Sequence, residues 1–449
     1  MIVMKFGGTS VGSPDRVRSL GVRVRERLDR RPVVVVSAFS GVTDQLIRGA
    51  QLALERDPGS QGVVRDVRGR HADAVRALVG SRPEGDALMR LVESAGEELR
   101  TLYTGVEYLG ELTPRSLDAI SGLGERLSCE IVAHALAADG LPARAVDARG
   151  LIVTDESYGR AVPLPAETRE RTRATLLPLL DDGLVPIVGG FIGATRKGTA
   201  TTLGRGGSDW SASILGAALD AEEIQIWTDV DGMMTVDPRT VEGARPIPEI
   251  SFQEAAELAY FGAKVLHPAS IKPAIERGIP VRILNSLNPG AAGTTITADA
   301  RFSGPRAIAF KRGITVVLIS QPRMLMAHGF LARVFDVFDR HRTAVDLIAT
   351  SEVSVSLTVD DTHRLGEIQT DLDALGEVQV LRGMAIVSVV GQGFMRQPGL
   401  AGRIFQALRD VNLVMISFGA SDVNVSFVVA EGGAEKAVRL LHAGLFEEA

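Results

Sequence analysis

A chain of 449 residues exceeds one ordinary domain, and 45% hydrophobic with 23% charged residues describes a soluble globular protein with two or three sizeable cores. A formal charge of −6, with the arginines of residues 16–31 interleaved with apolar positions, argues against nucleic acid as a partner, and no apolar run approaches the roughly 18 residues of a membrane span. The lone Cys129 excludes an intramolecular disulfide and a thiolate zinc cluster, the seven histidines lack close metal-type spacing, and no signal-like segment precedes the first strand, so the cytoplasm is the expected compartment.

The chain opens on "IVMKFGGTSVGSPDRV" (2–17), an apolar strand that ends in Lys5 and runs into Gly7, Gly8 and Gly12. A P-loop needs its lysine after the glycines and a dinucleotide fingerprint needs GxGxxG, so this turn is neither, and alone it could be purely structural. Ser13 with Pro14 predicts a helix start. Further on, "VVVVSAF" (33–39), "LVPIVGGFIG" (184–193), "EIQIWTD" (223–229) and "IPVRIL" (279–284) alternate with amphipathic stretches, which predicts parallel strands joined by crossover helices.

A second glycine-rich turn, "TTLGRGGSDWSAS" (201–213), places Arg205 among Gly204, Gly206 and Gly207, and Ser208-Asp209 begins a helix whose N-terminus favours an anion. Two such turns, each with a cation, suggest a phosphoryl group held between them. "WTDVDGMMTVDPRT" (227–240) groups Asp229, Asp231 and Asp237 with Arg239, or is a solvated turn; Trp227 and Met233-Met234 read as packing. Ser251 with Glu254 fits a capping box for a helix that Gly262 can close. In "FGAKVLHP" (261–268) Lys264 is either functional or a complement to the helix dipole, and His267 reads as a loop histidine. The Gly-, Pro- and Thr-rich segment 286–306 looks like a boundary.

Beyond it an internal repeat has an offset of 70 residues: "RGITVVLIS" from Arg312 matches "RGMAIVSVV" from Arg382, Gly329 matches Gly399, and "SEVSVSLTV" from Ser351 matches "SDVNVSFVV" from Ser421. Each copy reads strand, loop, helix, strand, strand. In the first helix Leu331, Val334, Phe335 and Phe338 are expected on one face, and Val355, Leu357 and Val359 alternate with polar residues in the later strand.

In this order and with these separations, "KFGGTSV", "SGLGERLS", "TTLGRGGSD", "WTDVDGMMTVDPR" and "FGAKVLHP" closely resemble the aspartate kinases of the amino-acid kinase superfamily. "VDLIATSEVSVSLTVD" resembles the effector-binding segment of their ACT domains, the likeness covers the whole chain, and the length matches the monofunctional, lysine-sensitive class. The resemblance implies an α/β amino-acid kinase fold with a mostly parallel central sheet over 1–295, a linker at 296–311, and two α+β ACT-type (βαββαβ) modules at 312–381 and 382–449. It also implies ATP-dependent phosphorylation of the side-chain carboxylate of L-aspartate to 4-phospho-L-aspartate, the first step towards lysine, threonine and methionine, with Mg²⁺ accompanying the nucleotide. The acceptor carboxylate is anionic at neutral pH, so the enzyme must join two anions and stabilise charge on the transferring group, without a general base.

Carried over residue by residue, Lys5, Arg205 and Asp209 are the catalytic set: Lys5 points a cation at the phosphoryl oxygens and Asp209 orients the lysines. Glu125 would hold the substrate ammonium and Arg205 a carboxylate, with Ser37, Thr43 and Ser208 adding hydroxyls. Gly7 and Gly8, as close backbone donors, and Thr228, Asp229, Met234, Arg239 and Lys264 would line the ATP site; Met234 stands where many relatives have tyrosine. The resemblance assigns no direct metal ligand. For the effector it implies Met324, Gly329, Leu331, Val345, Asp346, Thr350 and Glu352, with Asp346 for a cationic end and backbone near Gly329 and Leu331 for an α-carboxylate. Lysine is the implied effector; Ala327 and Ala344 replace serines of lysine-sensitive relatives, which leaves threonine as the alternative. ACT modules pair across subunits, so a homodimer or higher homo-oligomer is expected. An N-acetylglutamate kinase would lack the tandem repeat and need no Glu125, and a non-catalytic amino-acid sensor would not need Lys5, Arg205, Asp209 and Lys264 intact.

Overall fold

The computed structural model describes residues 1–80, 82–262, 266–298, 300, 302–321 and 328–447. Lys264 and Met324, both expected in sites, lie outside the described residues. The chain divides into two compact units: Met1–Met233 with Pro248–Phe252 and Val265–Ala300, and Met234–Ile247 with Gln253–Lys264 and Arg301–Ala449.

The first unit is built on an eight-stranded sheet in the order Ala143–Val146, Val185–Gly189, Pro32–Val36, Ile2–Phe6, Glu223–Thr228, Val281–Asn285, Thr294–Thr297 and Glu249–Ser251. All its ladders are parallel except the one joining Val281–Asn285 to Thr294–Thr297. Ile2–Phe6, Pro32–Val36 and Val185–Gly189 are buried at every position, as expected of parallel strands covered on both faces. Their side chains merge with helices such as Val42–Leu54, Pro83–Leu109 and Leu123–Ala138 into one core. The helix Pro14–Arg25 starts where the sequence puts it, its first turn accepted by the Ser13 hydroxyl. Trp227 is buried, stacked on Phe6, which settles it as a packing residue. A small sheet of Val153–Thr154, Ile192–Thr195 and Ala200–Thr202 lies alongside.

The connection from the carboxyl end of Ile2–Phe6 runs to Pro32–Val36 on one side, and the chain leaving Glu223–Thr228 returns to the sheet on the other, so the carboxyl ends of these two neighbours form a topological switch point, where ligands of open α/β sheets bind.

The second unit holds a six-stranded antiparallel sheet in the order Ile348–Thr350, Ser354–Val359, Gly304–Ser320, Glu377–Gln392, Asn424–Ala430 and Met415–Ser417. Its two central strands are 17 and 16 residues long, and each serves two cores. Val317 and Ile319 pack with Phe330, Val334, Phe338 and Leu357, whereas Ile308 packs with Val387, Phe427 and Leu441. The segment 296–311, expected as linker, therefore ends as strand: Gly304–Lys311 pairs with Gln392–Ile386 and lends its side chains to the second core. A second difference concerns the helix Phe330–Arg340. It buries Phe330, Val334, Val337 and Phe338 and leaves Leu331 and Phe335 exposed, so its inward face is rotated from the expected one. A single helix turn of alternately spaced apolar residues fits two adjacent faces, and only the sheet beneath selects one. Among the described residues no helix is long and apolar enough to cross a membrane.

Candidate active site

Lys5 is the penultimate residue of the fully buried strand Ile2–Phe6 and is itself only 8% exposed, with Nζ 2.7 Å from Asp209 Oδ1 in the first turn of the helix Gly207–Leu219. The strand fixes the lysine stem and the helix fixes its counter-charge, so the ammonium is held in place without being closed off. The N–H of Gly7, expected as a ligand donor, is bonded instead to Trp227 O. Gly8 opens a short helix, where first-turn N–H groups have no intrahelical acceptor. A Cβ on Gly8 would meet Ala38 O at 3.0 Å.

Ser37 follows the neighbouring strand, its N–H donated to Phe6 O, and Thr43 lies in the first turn of the next helix. Glu125 is 3% exposed, near the start of Leu123–Ala138. The glycines of "SGLGE" explain how it gets there: a Cβ on Gly124 would be 2.8 Å from Ala38 Cβ, and one on Gly122 would be 2.9 Å from Ile192. Burial pushes the Glu125 carboxyl up to about 8, the Ala38 backbone opposes this in part, and Oε2 has no hydrogen-bond partner among the described residues. A buried carboxylate left short of donors is a site that wants a cation.

Arg205 lies exposed between two glycines in left-handed conformation, Gly204 (φ 80°) and Gly206 (φ 71°), with no ion pair among the described residues. The turn is anchored by Asp118, which sequence reasoning missed. This carboxylate, 2% exposed, accepts from Gly159 N at 2.9 Å, Thr202 N at 2.9 Å and Thr202 Oγ1 at 2.6 Å. Nothing in "RSLDAISG" distinguishes it from a surface acid. Ser208 lies against Gly190, where a Cβ would be 2.7 Å from Ser208 Cβ. Phe191, equally unforeseen, holds φ 65°, a conformation costly for a bulky residue, and its N–H is donated to Ser211 Oγ at 2.9 Å. Strain retained beside the candidate site marks a backbone path that the surroundings enforce.

Thr228 and Asp229 end the strand next to Lys5's and share a side-chain hydrogen bond of 3.2 Å. Asp229 and Asp231 belong to the first unit and Asp237 to the second. Asp231 accepts from the amides of Asn285 and Asn288, and Asp237 is paired with Arg239 in the second unit. Met234, also in the second unit, is half-buried in an isolated bridge to Pro246. Among the described residues no three His, Cys, Asp or Glu side chains are grouped to hold a metal ion. Cys129 is buried and its thiol is pushed up to about 12, chiefly by burial, so it is inert.

Of the expected effector residues, Gly329 (φ 75°) precedes the helix Phe330–Arg340, Leu331 is exposed on its first turn, and Val345 packs against the first module's core. Thr350 ends an edge strand, and Glu352 is exposed in the following loop. Asp346 is not free: Tyr260 and Lys311 both reach its carboxylate.

The family model of the Amino acid kinase family matches residues 1–285, and an ACT domain model matches 387–445. Lysine-sensitive aspartokinase 3 of Escherichia coli is 38% identical, covering 100% of this chain and 99% of its own length. Aspartokinase 3, chloroplastic, of Arabidopsis thaliana is 38% identical over 99% of this chain and 81% of its own. The crystal structure of E. coli aspartokinase III in complex with aspartate and ADP (R-state) superimposes with a TM-score of 0.86 at 37% identity, covering 99% of this chain and 100% of that one. The same enzyme in complex with lysine and aspartate (T-state) gives 0.81, again covering 99% of each. With a buried lysine at the switch point of a mostly parallel sheet, a tandem α+β regulatory half and full-length likeness, the chain belongs to the aspartokinases of the amino acid kinase family.

Proposed function

We propose that this chain transfers the γ-phosphoryl group of ATP to the side-chain carboxylate of L-aspartate, giving 4-phospho-L-aspartate. The observation that carries the choice of substrate is Glu125: a buried carboxylate with an orphaned oxygen suits a free ammonium, which an N-acylated substrate lacks. Arg205, exposed and unpaired among the described residues, is available for a substrate carboxylate, and Ser37, Thr43 and Ser208 for its polar rim. Lys5 neutralises the charge that gathers on the transferring group, and Asp209 keeps the ammonium from swinging away. Gly8, Thr228 and Asp229 are the first unit's candidates for the nucleotide end, at the carboxyl edge of the sheet. Mg²⁺ would neutralise the phosphates. With no three His, Cys, Asp or Glu side chains grouped for a metal among the described residues, it fits best as a passenger of the nucleotide, with Asp209 and Asp229 as acidic groups at this edge.

Lysine is the proposed effector, taken by the first regulatory module. The relative in complex with lysine supports this, as does a buried Asp346. A homo-oligomer built on the regulatory modules is supported by exposed apolar side chains at repeat-related positions, Phe335 with Phe405 and Ile348 with Phe418. A coupled assay of ADP release with L-aspartate, L-glutamate and N-acetyl-L-glutamate, each with and without millimolar lysine, tests the reading. Turnover with aspartate, suppressed by lysine, is expected; equal turnover with N-acetyl-L-glutamate would overturn the role of Glu125.

A further inference from the structure

A pocket for an ammonium group needs a carboxylate short of donors, and in the first regulatory module the chain already offers that carboxylate an ammonium of its own. The Asp346 side chain is 2% exposed; its Oδ1 accepts from the Tyr260 hydroxyl and lies 3.4 Å from Lys311 Nζ. Lys311 is nearer to Asp360, at 2.7 Å, and its Nζ sits 4.8 Å from the centroid of the Tyr260 ring. Asp346 Oδ2 has no hydrogen-bond partner among the described residues. Two carboxylates thus share one ammonium and one phenol. Among the described residues the cluster is short by one cation, and the orphaned oxygen belongs to its most buried member. Charge follows the distances: the hydrogen bond from Lys311 lowers Asp360, while burial, ahead of every neighbour, raises Asp346. Lys311 is also placed to move. Its side chain is 22% exposed, and the strand's register shifts between Lys311 and Ile314.

The internal repeat sharpens the point. Seventy residues on, Lys311, Asp346 and Asp360 become Leu381, Ile416 and Ala430, and Ile416 is 40% exposed. The second module has kept the fold and lost every charge of the cluster, so the cluster is not needed to build the module.

We propose that Lys311 is an internal competitor for the effector's terminal ammonium: a cationic effector binds by taking Asp346 while Lys311 withdraws to Asp360, so Lys311 sets the effector's affinity. This rests on the reading of the first module as an effector site, and it makes Lys311 a residue that determines specificity without touching the catalytic machinery. The competition exists only for a ligand that carries the second cation; norleucine, which keeps lysine's four side-chain carbons but lacks the ammonium, has nothing to gain when Lys311 is removed.

The test measures lysine and norleucine inhibition and binding on the full chain, for wild type, Lys311→Met, Lys311→Gln and Lys311→Arg, with thermal unfolding and basal turnover as checks on folding. Both neutral variants should lower the half-inhibitory lysine concentration by ~10-fold, well within a typical coupling range, while Lys311→Arg stays near wild type and norleucine is unmoved. Wild type responsive to lysine with both neutral variants unchanged or weaker overturns the competitor alone. Silence of wild type and neutral variants towards lysine overturns the effector reading as well.

Discussion

Lys5 and Glu125 carry opposite charges into places where charge is expensive, and the difference in how each is compensated separates their roles. Lys5 has its counter-ion in Asp209; Glu125 has only partial backbone help. Lys5→Met should lower kcat by at least ~100-fold, the loss typical of one preorganised electrostatic group, with the fold retained as judged by circular dichroism. A variant that keeps a tenth of wild-type turnover would refute the role. For Glu125 the sign follows from its raised pKa of about 8. In the free enzyme the carboxyl is mostly protonated at pH 6 and ionised at pH 9, and the proposed role has the substrate ammonium bind the ionised form. The aspartate KM should therefore fall as pH rises from 6 through 8 and level once the carboxyl is fully ionised. Glu125→Gln should raise the aspartate KM, leave that for ATP unchanged and flatten the profile; parallel changes in both KM values would mark a structural residue.

At the scale of elements, the site depends on how closely strand ends, glycines and helix starts approach one another. Asp118 shows the principle: it lies on the helix Pro114–Ser121 and ties Gly159 to Thr202, and so sets the turn that presents Arg205. Asp118→Ala would orphan buried donors, so a loss of stability of roughly 2–4 kcal/mol is expected in denaturant titration, together with a raised aspartate KM. Unchanged stability would show that water replaces the carboxylate and that the turn stands without it. The same logic explains why several glycines near the candidate site serve packing and backbone pairing. Gly7 spends its N–H on Trp227 O, and Gly190 and Gly124 make room for Ser208 and Ala38.

At the scale of the whole molecule, the regulatory half is one sheet carrying two cores, with long central strands passing from one to the other. A strand at each edge, Ile348–Thr350 and Met415–Ser417, offers unpaired backbone beside exposed Ile348 and Phe418. Edge strands with apolar flanks are templates for association. The double variant Ile348→Lys with Phe418→Lys should shift the protein to monomer in light scattering coupled to size exclusion, with the fold retained. An unchanged mass would place the subunit interface elsewhere.

Sequence alone determined the elements whose physics is local or periodic. The buried runs 33–36, 185–189 and 223–228 could only be covered strands, Ser13-Pro14 could only begin a helix, and the offset of 70 residues announced two like modules. The ordered motifs around Lys5, Glu125 and Asp209 carried the family because each pairs a charge with glycines. What the tertiary structure decided is what depends on partners distant in the chain. Asp118 and Phe191 gain meaning only from Thr202 and Ser211, and Asp231 from the amides of Asn285 and Asn288. Gly304–Lys311 becomes strand because residues 386–392 pair with it. Lys311, unremarkable beside Arg312 in the sequence, acquires a role only where folding sets it between Asp346 and Asp360, since a buried carboxylate's demand for a cation is a property of the space around it and not of the order of residues.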